Sequence, residues 1–218
     1  IVSRDWSSDV CSSDLLDIGG MPLIGHTWQR FDQLPETGEI VIVTRDDARP
    51  QFKELAKRIG AGKPWRLVAG GAARQDSVWN GVNATATESE LVAIQDGARP
   101  CTPSGPIQAA LIAARETGAA VLAKRVSDTL KRGDGQAQIA GTIDRENVWA
   151  VQTPQVFRRE IILAALAKVR DEGLSITDDT AACEALGQAV KLIECDTPNP
   201  KATTPADLPY IESLLAGE

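Results

Sequence analysis

The chain of 218 residues carries 30 acidic and 23 basic side chains for a formal charge of −7, with 43 % hydrophobic and 24 % charged residues. That balance is ordinary for a globular protein and excludes collagen-like, coiled-coil and largely disordered chains. An acidic chain is poorly suited to wrapping the nucleic-acid backbone. No apolar run approaches the roughly 18 residues of a membrane span. Neither nucleic acid nor membrane is therefore expected as a partner.

A chain of this length can bury a core without disulfide staples. Cys11, Cys101, Cys183 and Cys195 form no Cys-x-x-Cys pair, so structural zinc and dithiol chemistry are weakly supported. Reduced thiols and a cytoplasmic location are expected. His26 is the single histidine, which speaks against a His-based triad or a multi-His metal site, and a structural place on a helix is expected for it.

Residues 1–14 depart from the pattern that follows. Ser7-Ser8-Asp9-Val10 and Ser12-Ser13-Asp14-Leu15 are near-repeats, with no glycine and no strand of useful length. Arg4, Asp5 and Asp9 interrupt what would be the apolar core of a signal peptide. The stretch is expected to be non-native, such as a translated linker, or else a disordered natural tail.

From Ile40 onward the elements alternate. Residues 40–44 (Ile-Val-Ile-Val-Thr) predict a strand, and Phe52, Leu55, Ala56 and Ile59 share one helix face. Strands at 66–69, 91–94 and 120–123 alternate with helices at about 75–84 and 107–116. Strands that are apolar throughout indicate a sheet covered on both sides. The expected fold is α/β: a Rossmann-like, mostly parallel sheet with helices on both faces, in one domain over residues 15–218. Residues 125–149, polar and containing Gly133, Gly135 and Gly141, are expected to project as an arm. Helices are predicted at 159–170 and at 178–186, the latter ending at Gly187. A late strand is predicted at 189–193. Thr204-Pro205-Ala206-Asp207 opens a last helix, with Thr at the N-cap, Pro at N1 and an acid at N3.

Several segments have residue types suited to phosphate chemistry. Gly60-Ala61-Gly62-Lys63-Pro64 resembles a phosphate loop only superficially, because it follows a helix and Pro64 stands where a hydroxyl is needed. It is predicted to be a helix-ending turn. Gly70-Gly71-Ala72-Ala73-Arg74 follows a strand and opens a helix, where backbone amides can approach an anion. Asp96-Gly97-Ala98-Arg99-Pro100 lies at the carboxyl end of a strand, where open α/β sheets bind ligands. An acid there can hold Mg²⁺, and an arginine can fork onto phosphate.

Taken in order, the blocks 70–78 (Gly-Gly-x-x-Arg-x-Asp-Ser-Val), 96–100 (Asp-Gly-Ala-Arg-Pro), 128–131 (Asp-Thr-x-Lys) and 144–145 (Asp-Arg) carry a resemblance. So do 153–157 (Thr-Pro-Gln-x-Phe), 177–179 (Thr-Asp-Asp) and 199–208 (Asn-x-Lys-x-Thr-x-Pro-x-Asp-Leu). Over about residues 15–217 the chain resembles the 2-C-methyl-D-erythritol 4-phosphate cytidylyltransferases. The resemblance implies transfer of CMP from CTP to methylerythritol phosphate in isoprenoid precursor synthesis. Pyrophosphate is released, Mg²⁺ is used, and a homodimer is joined through the arm. It implies that Gly71 and Ser77 contact cytosine, and that Asp96 and Gly97 face the ribose and metal. Arg99, Thr129, Thr153 and Thr177 would line the polyol phosphate site. Arg145 of the other subunit and Lys201 would position the attacking phosphate. An enzyme for another polyol phosphate, such as ribitol 5-phosphate, and a catalytically dead dimerising protein of the same fold are the alternatives.

The departures from the family pattern are local. Counting back from Gly19-Gly20, Ser13 and Trp6 stand where the family has a lysine and an arginine of its Gly-rich triphosphate loop. Gln95 stands in place of a usual histidine, and Ala72 in place of a common acid. Loss of that loop implies impaired activity.

Overall fold

The computed structural model describes residues 15–217, together with the backbone of Val2–Arg4. The elements run β1 (Val2–Arg4), β2 (Asp17–Ile18), β3 (Met21–Pro22), α1 (Leu23–Asp32), β4 (Ile40–Thr44), α2 (Arg49–Ile59) and β5 (Trp65–Ala69). Next come α3 (Arg74–Asn83), β6 (Leu91–Asp96), α4 (Ser104–Thr117), β7 (Ala119–Arg125), β8 (Leu130–Gly133), β9 (Ile139–Ile143) and β10 (Trp149–Arg158). The chain closes with α5 (Arg159–Asp171), α6 (Asp179–Leu186), β11 (Lys191–Glu194) and α7 (Leu208–Ala216).

Seven strands form the central sheet in the order β11-β7-β10-β6-β1-β4-β5. All neighbours are parallel except β10, which runs antiparallel to both β6 and β7. Alternation along β4 shows why both faces are covered. Val41 and Val43 pack with Val78 and Val82 of α3, Ile162 and Leu166 of α5, and Ala182 of α6. Ile40 and Ile42 pack with Ile24, Trp28 and Phe31 of α1 and with Phe52 and Leu55 of α2. All five β4 residues are buried. This is the double-sided covering that an uninterrupted β-branched run predicts.

Two elements depart from the expectations. Val2–Arg4 forms a three-residue strand between β4 and β6, with Val2 opposite Val41 and Ile94, where no strand of useful length is expected from the sequence. Three residues give too short a pattern to read, and only the two flanking strands define the slot. The rest of that expectation, over residues 5–14, lies outside the described residues. The second departure is β10, a stretch to which no element is assigned from the sequence. Pro154 and three polar neighbours argue against a central strand. The structure accommodates them at an irregularity between Val151 and Gln155, where pairing with β7 shifts register and the Thr153–Pro154 peptide is cis. The late strand is also displaced by a residue or two, to Lys191–Glu194.

Within the segment 125–149, β8 and β9 form a hairpin that is a separate two-stranded sheet with mostly exposed residues, Ile139 among them at 71 %. The Gly60–Lys63 segment is a helix-ending turn, as expected. Gly60 takes φ +64° at the end of α2, and the amides of Gly62 and Lys63 donate to the Asp32 carboxylate at 2.9 Å each. His26 sits in α1 with Nε2 2.9 Å from the Ile18 carbonyl oxygen. Among the described residues no helix is long and apolar enough to cross a membrane.

Candidate active site

The strand order reverses at β1, with β4 on one side and β6 on the other. In open α/β sheets a crevice opens at the carboxyl ends of strands at such a point. Here β6 ends at Asp96, which is opposite Arg4, the last residue of β1. A cleft of about 430 Å³ lies at this edge, lined by Asp96, Arg99, Thr153, Thr177 and Lys201 among others.

The loop after β6 is held from below by α1. Thr27 Oγ1 donates to the Gly97 carbonyl at 2.6 Å, and Arg30 Nε donates to the Pro100 carbonyl at 3.1 Å. Arg99 Nε reaches Asp96 Oδ2 at 3.2 Å, and Lys201 Nζ approaches the same oxygen at 3.3 Å. The segment carrying Lys201 is laid onto this loop by Ala202, whose N–H donates to the Ala98 carbonyl at 2.9 Å. Two cations from distant parts of the chain thus meet at one carboxylate, leaving the cleft suited to a polyanion.

Thr153 completes this end. Its Oγ1 accepts the Asp96 N–H at 3.0 Å, so the hydroxyl's own proton is oriented by a backbone donor and can be given to a ligand oxygen. Thr177 is exposed at the opposite lip. It precedes Asp178, the N-cap of α6, whose carboxylate accepts from Ala181 N and from Gln155 Nε2, at 2.9 Å each. Gln155 Oε1 accepts the N–H of Asp179 at 3.0 Å. Asp179 is fully buried and takes both arms of the Arg74 guanidinium, at 2.9 and 2.8 Å. On the same helix the Cys183 thiol is pushed up to about 12, first by burial and then by the neighbouring Asp179, Asp178 and Glu184. It stays protonated at neutral pH and has no nucleophilic part to play.

The turn between β5 and α3 is a second locus. The Gly71 N–H donates to Ser77 Oγ at 2.9 Å. A Cβ at Gly71 would stand 2.2 Å from Asp76 Cβ, so the close approach itself requires glycine. The Asp76 carboxylate accepts the Ala73 N–H at 3.2 Å, closing the helix end from one side.

The expected residues therefore fall into three groups. Asp96, Arg99, Thr153, Thr177 and Lys201 share the cleft, with buried Gly97 directly behind Asp96. Gly71 and Ser77 bind each other at the neighbouring turn. Thr129 and Arg145 are exposed just outside the paired ends Leu130 and Ile143 of the β8–β9 hairpin and are not among the residues that line the cleft. The sequence assigned no role to Arg74, Gln155 or Asn199, although each lies inside a quoted block. Their spacing in the chain says nothing of the partners they meet, which only the hydrogen bonds of the fold reveal.

Among the described residues no group of three or more His, Cys, Asp or Glu side chains could enclose a metal ion. The Asp96 carboxylate, with Asp178 the other carboxylate lining the cleft, does not fit zinc or an all-protein calcium cage. It does fit Mg²⁺, which commonly takes one or two carboxylates and fills its shell with phosphate oxygens and water.

A parallel-sheet crevice with converging cations and a glycine-dependent turn defines a class of α/β proteins that bind phosphorylated ligands. The family model for 2-C-methyl-D-erythritol 4-phosphate cytidylyltransferase (IspD) matches residues 8–216, and the chain belongs to that family. The enzyme of that name from Geobacillus kaustophilus is 41 % identical over 205 residues, covering 94 % of this chain and 89 % of its own. A solved 2-C-methyl-D-erythritol 4-phosphate cytidylyltransferase from Thermus thermophilus superposes with a TM-score of 0.82 at 31 % identity, covering 99 % of this chain and 98 % of that one. A 4-diphosphocytidyl-2C-methyl-D-erythritol synthase from Anaerococcus prevotii gives 0.88 at 26 % identity, covering 99 % and 96 %.

Proposed function

We propose that this chain transfers CMP from CTP to 2-C-methyl-D-erythritol 4-phosphate, releasing pyrophosphate. The observation that carries the reading is the convergence of Arg99 and Lys201 on Asp96 beside the Thr153 hydroxyl. An oxygen of the acceptor phosphate attacks the α-phosphorus of CTP. A new P–O bond forms, and the bond from the α-phosphorus to the β-bridging oxygen breaks. The problem is one of bringing two polyanions together, so positioned cations and hydroxyls do most of the work and a histidine base is not needed.

In this reading Arg99, Thr153 and Thr177 hold the acceptor, and Lys201 screens its phosphate as it approaches. Gly71 and Ser77 receive the cytosine side of CTP. Asp96 and Gly97 border the ribose, with Asp96 as the protein's ligand to Mg²⁺, which would neutralise phosphate charge when bound. Arg145 reaches an acceptor site from a second copy of the chain, a reading supported by its place outside the cleft, and Thr129 is assigned to the acceptor site with it. A homodimer joined through the β8–β9 arm and a cytoplasmic setting belong to the same reading. So does reduced turnover, because Trp6 and Ser13 replace two cations of the family's triphosphate loop.

The test is pyrophosphate release from CTP with methylerythritol phosphate and, separately, ribitol 5-phosphate. It is run on this chain and on a version carrying the family's Gly-rich loop. Restored enzyme is expected to favour methylerythritol phosphate. Lys201→Ala should lower turnover by about 10²–10³, and Arg145→Ala by at least roughly tenfold. Full activity in a restored Arg145→Ala protein would remove that residue from the site. Preference for ribitol 5-phosphate would reassign the substrate, and release with neither would leave a binding protein.

A further inference from the structure

Three irregular segments build the acceptor side of the cleft: the loop after β6, the irregular stretch of β10, and residues 199–202. None is fixed there by an extended strand ladder. Besides the Ala202–Ala98, Lys201–Asp96 and Asp96–Thr153 links, one buried side chain ties all three together. Asn199 is 3 % exposed, and its groups bond to the other two segments. Its main-chain carbonyl accepts from Arg99 Nη1 at 2.7 Å. Its Nδ2 donates to the Thr153 carbonyl and to Gln152 Oε1, at 3.1 Å each. Its Oδ1 accepts from Thr102 Oγ1 at 2.9 Å, and Thr102 in turn accepts from the fully buried Gln95 Nε2 at 3.1 Å.

We infer that Asn199, backed by Thr102 and Gln95, is the positioning residue that sets the acceptor-phosphate site, by fixing Arg99, Thr153 and Lys201 relative to one another. The inference rests on the proposed function and adds a residue to it. Two features separate this role from general stabilisation. First, its partners are cleft residues: its main-chain carbonyl takes the guanidinium of Arg99 and its side chain holds the main chain of Thr153, while Lys201 follows two residues along the chain. Second, Gly71 and Ser77 are bonded to each other at the neighbouring turn, and none of the bonds of this network involves them. Loosening it should therefore harm one substrate more than the other. An amide is needed at 199, because the position must donate on one side and accept on the other. Aspartate supplies the acceptor for Thr102 but sets oxygen against the Thr153 carbonyl and Gln152 Oε1.

The test is calorimetric binding of CTP, and of methylerythritol phosphate in the presence of a CTP analogue that cannot be cleaved. It compares the full chain with Asn199→Ala, Asn199→Asp, Thr102→Val and Thr102→Ser, each with its melting temperature recorded. Asn199→Ala and Asn199→Asp are expected to weaken acceptor binding at least roughly tenfold while CTP binding changes by less than about threefold. Thr102→Val should move in the same direction, and Thr102→Ser, which keeps the hydroxyl, should stay within about twofold of the parent. If the Asn199 variants do not fold, the Thr102 pair decides the matter alone. Equal losses for both ligands, or a lower melting temperature with unchanged acceptor affinity in the folded variants, would overturn the inference and leave the proposed function standing. A parent chain that binds neither ligand would overturn both.

Discussion

Exchanging Arg74 for methionine keeps most of the side-chain volume but removes the guanidinium from a carboxylate with no exposed surface. The pair is bidentate, at 2.9 and 2.8 Å, with Arg74 itself 19 % exposed and Asp179 0 %. Removing one member of a buried pair costs about 3–5 kcal/mol, mostly because the remaining charge is left desolvated. The Gln155 amide holds the Asp179 N–H and the Asp178 carboxylate, so it cannot replace what the Asp179 carboxylate loses. A loss of about 3 kcal/mol is expected, which for a chain of this size is a fall of roughly 6–12 °C in melting temperature. The reverse exchange should be milder. In Asp179→Asn the amide oxygen still accepts one bond, and Arg74 reaches solvent, so about 1–2 kcal/mol is expected. Thermal or urea unfolding of the two variants beside the parent decides it. An Arg74→Met shift below about 3 °C, or an Asp179→Asn variant less stable than Arg74→Met, would refute the claim that the desolvated carboxylate dominates.

Three further outcomes follow from local geometry. Gly71→Ala should displace the start of α3 and weaken CTP binding at least roughly tenfold, since the added methyl would stand 2.2 Å from Asp76 Cβ; unchanged affinity by calorimetry would show that the turn has slack. The Asp207 carboxyl is held down at about 2 by the N–H groups of Thr203 and Thr204, then by the Thr203 hydroxyl. Its folded value lies below the ordinary 3.8, so its stabilisation is complete above about pH 4 and is lost as pH falls through about 2. Asp207→Asn should therefore be less stable than the parent at pH 7, with the gap in urea midpoints closing between about pH 4 and 2; a gap constant over that range would contradict the assignment. Cys183, pushed up to about 12, should resist iodoacetamide at about pH 8 in the folded protein and react once urea is added. Mass-spectrometric detection of fast labelling in the native state would show that the helix opens.

The amino-acid sequence by itself determined the covered parallel sheet, because β-branched runs such as 40–44 have one stable use at this length. It also determined the last helix: Thr204 caps the turn Pro205–Asp207 leading into α7, and the Asp207 carboxylate returns to it, because capping involves neighbours in the chain. The ordered blocks named the residues of the candidate site, and the cleft gathers Asp96, Arg99, Thr153, Thr177 and Lys201. Only the tertiary structure decided that β10 is a strand despite Pro154, since its place depends on β6 and β7 lying open on either side. The same holds for Val2–Arg4, and for the meeting of Arg74 with Asp179 across 105 positions. Asn199 is the plainest case. In the sequence it is one polar residue before a proline, and its partners are contributed by segments that come together only when the sheet edge is assembled. Local patterns record what a residue does to its own turn or strand. What it does for a cleft depends on contacts whose closing entropy is met by the whole fold, and no spacing along the chain records those.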